Sequence, residues 1–330
     1  MTTARQRRAL DVPLLVEQAR DGSPRAVARL ISLVEDASPA LREVMALLAP
    51  HAGHARVIGL TGSPGVGKST STSALVGAYR RRGMRVGVLA VDPSSPFSGG
   101  ALLGDRVRMQ DHATDDGVFI RSMATRGHLG GLSWATPQAL RVLSAAGCDV
   151  VLIETVGVGQ SELEVASLAD TTLVLVAPGM GDGIQAAKAG ILEVADVFVV
   201  NKADRDGADT VVRDLRNMQS LGTQSPSQAR VEGAWVAPIV KTVAARGEGA
   251  DDVVDRIEQH GRWLLDTGQL DQRRRGRAAD EVEAIALTAL RARIGDLRGT
   301  ESLEKLAVRV VAGEVDPYTA ADELVAGLTA

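Results

Sequence analysis

The sequence predicts an α/β fold in which helices cover both faces of a mostly parallel sheet, with helical extensions at both ends of the chain. Two observations support this prediction. Residues 56–265 alternate short apolar runs, typical of buried strands, with longer amphipathic stretches typical of helices. The first apolar run leads directly into a glycine-rich loop and then a helix, in the string Gly62-Ser63-Pro64-Gly65-Val66-Gly67-Lys68-Ser69. This order of strand, loop and helix is the opening unit of a P-loop NTPase domain.

Three segments differ in character along the 330 residues. Residues 1–55 contain amphipathic stretches, two of which start with Ser23-Pro24 and Ser38-Pro39, as helices commonly do. They predict an N-terminal helical extension that lies on the main P-loop domain, residues 56–265. Residues 266–330 carry long apolar stripes at helical spacing, which fit either an oligomer interface or packing onto the same chain.

The predicted strands of the main domain are apolar runs bounded by polar residues or glycine. They span residues 56–61, 84–91, 118–121, 149–154, 171–177, 197–200 and 234–239. Right-handed crossovers place the carboxyl ends of parallel strands, and the loops that follow them, at one edge of the sheet. A ligand is therefore expected at that edge.

Composition argues against several function classes. The net charge of −4 gives no general attraction to nucleic acid or anionic lipid, and 2% aromatic residues leave little surface for stacking bases. The basic runs at residues 80–82 and 273–277 are interpreted as a solvated helix end and a linker. Cys148, the single cysteine, is expected to be a buried and inert thiol. Without a long apolar span or a secretory signal, no membrane partner is expected and the predicted location is cytoplasmic.

The glycine-rich loop predicts a phosphate-binding site, because its backbone N–H groups and the following helix N-terminus attract phosphate. Lys68 is expected to reach the β- and γ-phosphates and to act in catalysis, while the Ser69 hydroxyl ligates Mg²⁺. The residues assigned to nucleotide binding in this stretch are Gly62, Ser63, Pro64, Gly65, Val66, Gly67, Lys68, Ser69 and Thr70.

The string Asn201-Lys202-Ala203-Asp204 directly follows an apolar strand and predicts guanine recognition. The Asp204 carboxylate can accept N1–H and N2–H of guanine, a donor pair that adenine lacks, so GTP is favoured over ATP. Asn201 is expected to bond the base and to tie this segment to the phosphate-binding loop. The Lys202 stem is expected to lie along the ring. The candidates for a backbone contact to guanine O6 are Val243, Ala244 and Ala245.

Polar residues at neighbouring strand ends predict Mg²⁺-dependent hydrolysis. Glu154 ends an apolar strand and fits a Mg²⁺ shell through water, and Gln160 follows as a candidate for orienting the attacking water. Asp92 ends the second strand and either holds a Mg²⁺-bound water or positions the attacking one. Asp105, in the next loop, is a candidate ligand that arrives with the triphosphate state. The predicted metal ligands are therefore Ser69, Asp92, Asp105 and Glu154, and the catalytic candidates are Lys68, Asp92 and Gln160.

Further motifs resemble the MeaB/ArgK family of G proteins, and the resemblance covers nearly the whole chain. One is Val91-Asp92-Pro93-Ser94-Ser95-Pro96, and the others lie at residues 104–109, 121–127, 154–162 and 178–185. The resemblance implies a GTPase that hydrolyses GTP to GDP and phosphate. It also implies a homodimer held largely by the C-terminal helices. The implied partner is adenosylcobalamin-dependent methylmalonyl-CoA mutase, for which such a protein gates cofactor loading and prevents inactivation.

In this family, the stretch that matches residues 178–188 acts as an additional switch that reports the nucleotide state to the mutase. Asp182, Gln185 and Lys188 occupy that stretch here. Glu154 stands where common small GTPases carry Asp, which points to water-mediated metal contact. Arg108 and Arg126 are candidates for an arginine that stabilises the transferring phosphoryl group, and a partner protein is an alternative source.

Three other functions compete with this interpretation. A metallochaperone-type GTPase for another metalloenzyme would need His or Cys clusters, and of five histidines only His51 and His54 lie close together. Older family naming suggests an ATP-dependent protein kinase linked to amino-acid transport, although no residue here specifies a protein substrate. The third alternative is a nucleotide-bound scaffold that acts without turnover.

Overall fold

The structure is a computed structural model that describes residues 10–92, 112, 114–124, 135–155, 161–179, 194–222, 233–294 and 300–329. The chain divides into two compact units, residues 1–274 and residues 275–330. The first unit contains the N-terminal helices together with the α/β domain.

Regular elements account for most of the described residues. The strands are β1 (Arg56–Thr61), β2 (Val86–Asp92), β3 (Val118–Ala124), β4 (Val150–Thr155), β5 (Thr171–Val176), β6 (Val197–Val200) and β7 (Ile239–Lys241). The helices are α1 (Val12–Arg20), α2 (Pro24–Glu35), α3 (Leu41–Leu48), α4 (Lys68–Arg81), α5 (Ala135–Ala145), α6 (Ser161–Leu168), α7 (Ala208–Gly222), α8 (Ala250–Asp266), α9 (Gln269–Ile294), α10 (Glu301–Val311) and α11 (Pro317–Thr329). Short 3₁₀ turns lie at Ala49–His51 and Ala244–Arg246.

The described strands form one seven-stranded sheet in the order β3-β2-β4-β1-β5-β6-β7, and every pairing in it is parallel. This arrangement confirms the predicted α/β fold. Leu60 of β1 pairs in register with Glu154 of β4, and Ala90 of β2 pairs with the same residue from the other side. The end of β4 therefore lies between the ends of β1 and β2, beside the start of the glycine-rich loop.

Helices cover both faces of the sheet. Successive strand residues point to opposite sides, so an apolar strand presents side chains for burial on both faces. On one face Val150 and Leu152 pack in a core cluster with α4 and α8. On the other face Val151 packs in a cluster with α5 and the N-terminal helices. The N-terminal extension thus completes the core of the first unit, and its Leu30 and Ile31 are fully buried.

The last strand begins later than its apolar residues predict. The sequence prediction of a strand at residues 234–239 is wrong, because pairing is confined to Ile239–Lys241. Pro238 has no N–H to donate to the ladder, although its carbonyl accepts the N–H of Phe198 at 2.8 Å. Trp235 instead donates its indole N–H to the Asp196 carbonyl at 2.8 Å. A side-chain anchor thus replaces strand pairing in residues 234–237.

The basic run at residues 80–82 is not simply a solvated helix end, because it fixes the end of α4. Arg80 binds Asp115 through two hydrogen bonds of 2.8 and 2.9 Å. Arg82 lies 2.7 Å from Asp255 and 3.0 Å from Glu258, both on α8. These ion pairs attach the end of α4 to a neighbouring helix and to the segment before β3.

The run at residues 273–277 contains the boundary between the two compact units, as a linker would, but it lies inside the helix α9. Arg274 lies 2.8 Å from the carboxylate of Asp170, and Arg273 lies 3.1 Å from that of Asp196. Both carboxylates are nearly buried and accept strand N–H groups, Asp170 from β1 at 3.0 Å and Asp196 from β5 at 2.8 Å. The start of α9 is therefore held at the amino edge of the sheet, away from the edge where the strands end.

His260 on α8 belongs to the same buried cluster. Its Nδ1 lies 2.8 Å from the Thr171 hydroxyl, and its Nε2 lies 3.2 Å from the Asp196 carboxylate. The rings of Trp235 and Trp263 flank it at centroid distances of 4.8 and 5.6 Å. Burial lowers the pKa of His260 from 6.5 to about 4, although the nearby Asp196 carboxylate acts in the opposite direction.

This shift predicts an acid-sensitive stability. Between about pH 4 and 6.5 the unfolded state binds more protons than the folded state, so the free energy of unfolding falls as the pH falls through this window. Above it the His260 contribution is fully present. When the pH is lowered from 7 to 5, the free energy of unfolding measured in urea should fall in both proteins. The fall is expected to be about 1–2 kcal/mol larger in the native protein than in His260→Gln. Equal losses in the two proteins would contradict a buried neutral histidine.

Cys148 and the length and apolar character of the helices were also the subject of sequence predictions. Cys148 is buried, as predicted, and burial raises the pKa of its thiol to about 12. Among the described residues, none of the helices combines the length and apolar character needed to cross a lipid bilayer.

Candidate nucleotide-binding site

The phosphate-binding loop, residues 62–69, starts at the end of β1 and leads into α4. Gly62, Gly65 and Gly67 have φ values of 142°, 82° and 96°, which side chains rarely tolerate. A Cβ on Gly62 would lie 2.3 Å from the backbone oxygen of Leu175 in β5, so only glycine fits there. The loop therefore starts in close contact with β5 and then turns back. The N-terminus of α4 lies at the carboxyl edge of the sheet as a result.

Lys68 places its ammonium group inside this loop. Its side chain is buried, donates a hydrogen bond to the Gly62 carbonyl and lies 3.4 Å from the Ser63 carbonyl. Ser69 is half-buried and Thr70 is exposed in the same turn of α4. The first turn of α4 has no acidic residue, so nothing in it opposes an incoming phosphate.

Glu154 is held at the end of β4 by α4. Its side chain is 2% exposed, and its Oε2 accepts the Thr72 hydroxyl at 2.6 Å. The same hydroxyl lies 3.1 Å from the Lys68 carbonyl. A buried carboxylate is thus fixed beside the helical turn that carries the proposed phosphate and metal ligands.

Asn201 is the centre of a hydrogen-bond cluster that joins three loops. Its Nδ2 donates to the Val66 carbonyl at 2.8 Å, which is the predicted tie to the phosphate-binding loop. Its Oδ1 accepts the Thr242 hydroxyl at 3.2 Å and the Ala244 N–H at 3.1 Å. The side chain is 3% exposed, so these bonds are shielded from water. Asn201 therefore brings the residues proposed for the base and for the phosphates into one unit.

The short distance between Asn201 and the phosphate-binding loop explains why residue 67 is glycine. A Cβ on Gly67 would lie 2.5 Å from Asn201 Nδ2, so a larger residue would push the two loops apart. Lys202 adds another link, because its Nζ donates to the Gly65 carbonyl at 2.6 Å. Its stem therefore crosses from the end of β6 to the phosphate-binding loop. This path is compatible with the predicted position along a guanine ring.

Asp204 lies at the outer side of this cluster, with its side chain 45% exposed. Arg246, which ends the 3₁₀ turn after β7, places its Nη2 3.6 Å from Asp204 Oδ2. Of the three candidates for the backbone contact to O6, Val243 donates its N–H to the Glu248 carbonyl and Ala244 donates its N–H to Asn201, both at 3.1 Å. Ala245, which follows on the same segment, stays the candidate. The groups predicted to recognise guanine thus come together at the ends of β6 and β7.

Several predicted site residues lie outside the part of the chain that the structure describes. They are Asp105, Gln160, Asp182, Gln185, Lys188, Arg108 and Arg126. Asp92 is described by its backbone, which ends β2 in register with Ala124 of β3. The assignments of all these residues stay predictions.

Sequence reasoning missed Thr72 and Arg246. The sequence spacing could have identified Thr72, because it lies four residues after Lys68 and so on the same side of α4. No sequence pattern identifies Arg246, since the direction of its side chain depends on a 3₁₀ turn that the sequence did not predict. The described residues include no group of three or more His, Cys, Asp or Glu side chains arranged to hold a metal ion.

The chain resembles known proteins in both sequence and structure. A family model described as methylmalonyl-CoA mutase-associated GTPase MeaB matches residues 27–296. A protein of Pyrococcus abyssi named as a GTPase is 45% identical over 308 residues, which cover 93% of this chain and 94% of that one. The Mus musculus protein named methylmalonic aciduria type A homolog, mitochondrial, is 38% identical over 217 residues, covering 66% of this chain and 52% of that one.

Among solved structures, one titled as a LAO/AO transport system kinase superimposes with a TM-score of 0.72. It is 26% identical in sequence and the match covers 100% of both chains. The family model matches most of this chain, and relatives named as GTPases extend over nearly all of it. The protein is therefore a GTPase that binds guanine nucleotide, and the chain belongs to the MeaB family of methylmalonyl-CoA mutase-associated GTPases.

Proposed function

We propose that this GTPase is a Mg²⁺-dependent switch that chaperones adenosylcobalamin-dependent methylmalonyl-CoA mutase. In this role it gates cofactor loading and protects the mutase from inactivation. The observation that carries the proposal is the family match over residues 27–296, whose description names the mutase. The mouse relative, named for methylmalonic aciduria, supports the same partner.

Guanine nucleotide binding is assigned to the two loops that Asn201 joins. The loop N–H groups and Lys68 hold the phosphates, and the Lys68 ammonium exchanges its bond to the Gly62 carbonyl for one to phosphate oxygen. Asp204 accepts the two guanine donors. Ala245 is the candidate for donating its backbone N–H to O6, because the N–H groups of Val243 and Ala244 donate to Glu248 and Asn201. Because Asn201 bonds both loops, base binding and phosphate binding reinforce one another.

The residues near the phosphate-binding loop fit a magnesium ion. Mg²⁺ prefers hard oxygen ligands, and here the Ser69 hydroxyl starts α4 while the buried Glu154 carboxylate is held beside that helix. Ser69 would bind the ion directly and Glu154 through water, with Asp92 and Asp105 as further candidates. The ion, when bound, supplies positive charge to the β- and γ-phosphates. Lys68 adds its own charge to the transferring phosphoryl group.

Glu154→Gln tests this metal assignment. The amide keeps an oxygen for the Thr72 hydroxyl but removes the charge, so the fold should persist. We expect the Mg²⁺ concentration for half-maximal GTP hydrolysis to rise about 10- to 100-fold, the range found when outer-shell partners of a metal are removed. GDP affinity in the presence of chelator should stay unchanged. A magnesium titration of both proteins measures this. The control is Glu17→Gln, which removes the same charge from an exposed position on α1. An unchanged magnesium requirement would remove Glu154 from the metal site.

The activation of water and the switch rest on residues whose roles are proposed from sequence. Asp92 or Gln160 orients the attacking water, and Asp182, Gln185 and Lys188 report the nucleotide state to the mutase. Arg108, Arg126 or a partner arginine stabilises the transferring phosphoryl group. Slow turnover in isolation follows if the mutase completes this set of residues.

A homodimer held by the C-terminal helices is part of the proposal. In the second unit the side chains of Val311 and Tyr318 are 90% and 84% exposed, and Val282 and Val308 are 67% and 68% exposed. Exposed apolar side chains along α9, α10 and α11 support burial against a second copy. Within this unit Arg309 of α10 binds Glu323 of α11 at 2.6 Å, which joins the two helices.

The proposed partner is tested by capture from native lysate. The purified protein is immobilised with non-hydrolysable GTP or with GDP, and bound proteins are identified by mass spectrometry. We expect a cobalamin-dependent mutase to be recovered in amounts that depend on the nucleotide. Recovery of other metalloenzymes without the mutase would favour the metallochaperone alternative instead.

One alternative has a specific observation in its favour. The matching solved structure is titled a transport-system kinase, which suggests phosphate transfer from ATP to a protein linked to amino-acid transport. That function predicts labelled phosphate on a binding protein and no effect of Asp204→Ala. The switch proposal predicts that no phosphoprotein forms and that Asp204→Ala impairs nucleotide binding.

A further inference from the structure

Arg246 lies between two carboxylates beside the proposed guanine site. It ends the 3₁₀ turn Ala244–Arg246, whose first residue donates its backbone N–H to Asn201 at 3.1 Å. Its Nη2 lies 3.6 Å from Asp204 Oδ2, and its Nε lies 3.0 Å from Glu248 Oε1. The backbone carbonyl of Glu248 accepts an N–H from the same segment at 3.1 Å. The turn therefore presents one guanidinium group to the carboxylate assigned to guanine.

The contact between Arg246 and Asp204 is electrostatic rather than a hydrogen bond. A separation of 3.6 Å exceeds hydrogen-bond distance, so the guanidinium does not occupy the acceptor lone pairs of Asp204. Both carboxylate oxygens stay available to N1–H and N2–H of guanine. Those two bonds form together only when the carboxylate plane faces the base edge. A cation beside one oxygen favours the orientations of that plane in which this oxygen stays close to it.

Glu248 contacts the other side of the same guanidinium group. Its carboxylate binds the Nε side of the guanidinium, which leaves the Nη2 side directed at Asp204. The side chains of Asp204 and Arg246 are 45% and 55% exposed, so this arrangement fills no buried space. A role in packing the fold would need burial that this pair lacks.

We propose that Arg246 is a positioning residue for guanine recognition, which orients the Asp204 carboxylate and so increases the preference for guanine over adenine nucleotides. The inference rests on the proposed role of Asp204 as the guanine-binding carboxylate. Arg246 acts through Asp204 and does not itself bind the base. Ion pairs at this exposure change an affinity by about 1.5- to 5-fold, which sets the size of the expected effect.

The test is a set of equilibrium competition titrations with GDP and ADP on the full chain. The variants are Arg246→Gln, Asp204→Ala and the double variant, with Arg246→Lys as the charge-preserving substitution. Arg256→Gln is the matched control, because it removes the same charge from an exposed position on α8. Arg246→Gln is expected to weaken GDP binding about 1.5- to 5-fold at low salt and less at high salt, because salt screens exposed charges.

The other variants and ADP distinguish the positioning of Asp204 by Arg246 from a general loss of nucleotide binding. ADP affinity should not change in Arg246→Gln, Arg246→Lys should retain most of the GDP affinity, and Arg246→Gln should have no further effect once Asp204 is alanine. An equal loss for GDP and ADP, or the same loss without Asp204, would overturn the role of Arg246 while leaving guanine recognition intact. If Asp204→Ala leaves the preference for GDP over ADP unchanged, guanine recognition by Asp204 fails and its positioning by Arg246 fails with it.

Discussion

Replacing Asn201 by alanine is expected to lower the free energy of unfolding by about 2–4 kcal/mol and to weaken GDP binding at least tenfold. The side chain makes three buried hydrogen bonds, to the Val66 carbonyl, the Thr242 hydroxyl and the Ala244 N–H. Each buried bond contributes about 1 kcal/mol, and buried partners left without a bond add a further cost. The loss of affinity follows because the phosphate loop and the base loop are no longer joined.

The matched control for this variant is Asn217→Ala, which removes the same side chain from an exposed position on α7. It should leave both unfolding and GDP affinity unchanged. Urea unfolding of the nucleotide-free proteins and GDP titrations measure the two effects separately. Loss of affinity with unchanged stability would show that Asn201 contacts nucleotide without supporting the loops. A stable variant with full affinity would contradict the central place given to Asn201.

Replacing Lys68 by alanine is expected to lower kcat for GTP hydrolysis about 10²- to 10³-fold. Its ammonium is the cation that the phosphate-binding loop encloses, next to the carbonyls of Gly62 and Ser63. Removal of one fixed electrostatic contact to the transition state typically costs this factor. The effect should appear in single-turnover measurements at saturating GTP, where binding no longer limits the rate.

Lys305→Ala is the control for Lys68→Ala, because this lysine forms an exposed ion pair on α10 in the other unit. It should hydrolyse GTP at the unaltered rate. A Lys68→Ala rate within about threefold of the native rate would contradict the catalytic assignment of Lys68. Loss of hydrolysis with retained nucleotide-dependent mutase binding would favour the scaffold alternative.

The fold was predictable because its signals are local. Apolar runs such as Val150–Thr155 identify strands, and the glycines of residues 62–67 require a loop that only glycine can form. The Asn201 link to the phosphate-binding loop was predictable as well, since it follows from two motifs with well-defined chemistry. The strand β7 was misplaced because Pro238 interrupts the hydrogen-bond ladder inside an apolar run.

The remaining features depend on which distant residues the fold brings together. The arginines at 273 and 274 read as a linker because a charge run does not reveal Asp170 and Asp196, the buried carboxylates at strand starts that bind them. Arg246 and Asp204 meet through a turn whose direction no local pattern specifies. Charge partners across the chain therefore need the structure, whereas glycine loops and strand ends do not.

The proposed function couples the nucleotide state of this GTPase to methylmalonyl-CoA mutase. The most direct test measures steady-state GTP hydrolysis by the purified protein alone and with saturating mutase, at fixed magnesium concentration. The proposed switch predicts slow turnover alone and a clearly higher rate with the mutase. Lys68→Ala should lower both rates about 10²- to 10³-fold. Equal rates with and without the mutase would contradict the coupling.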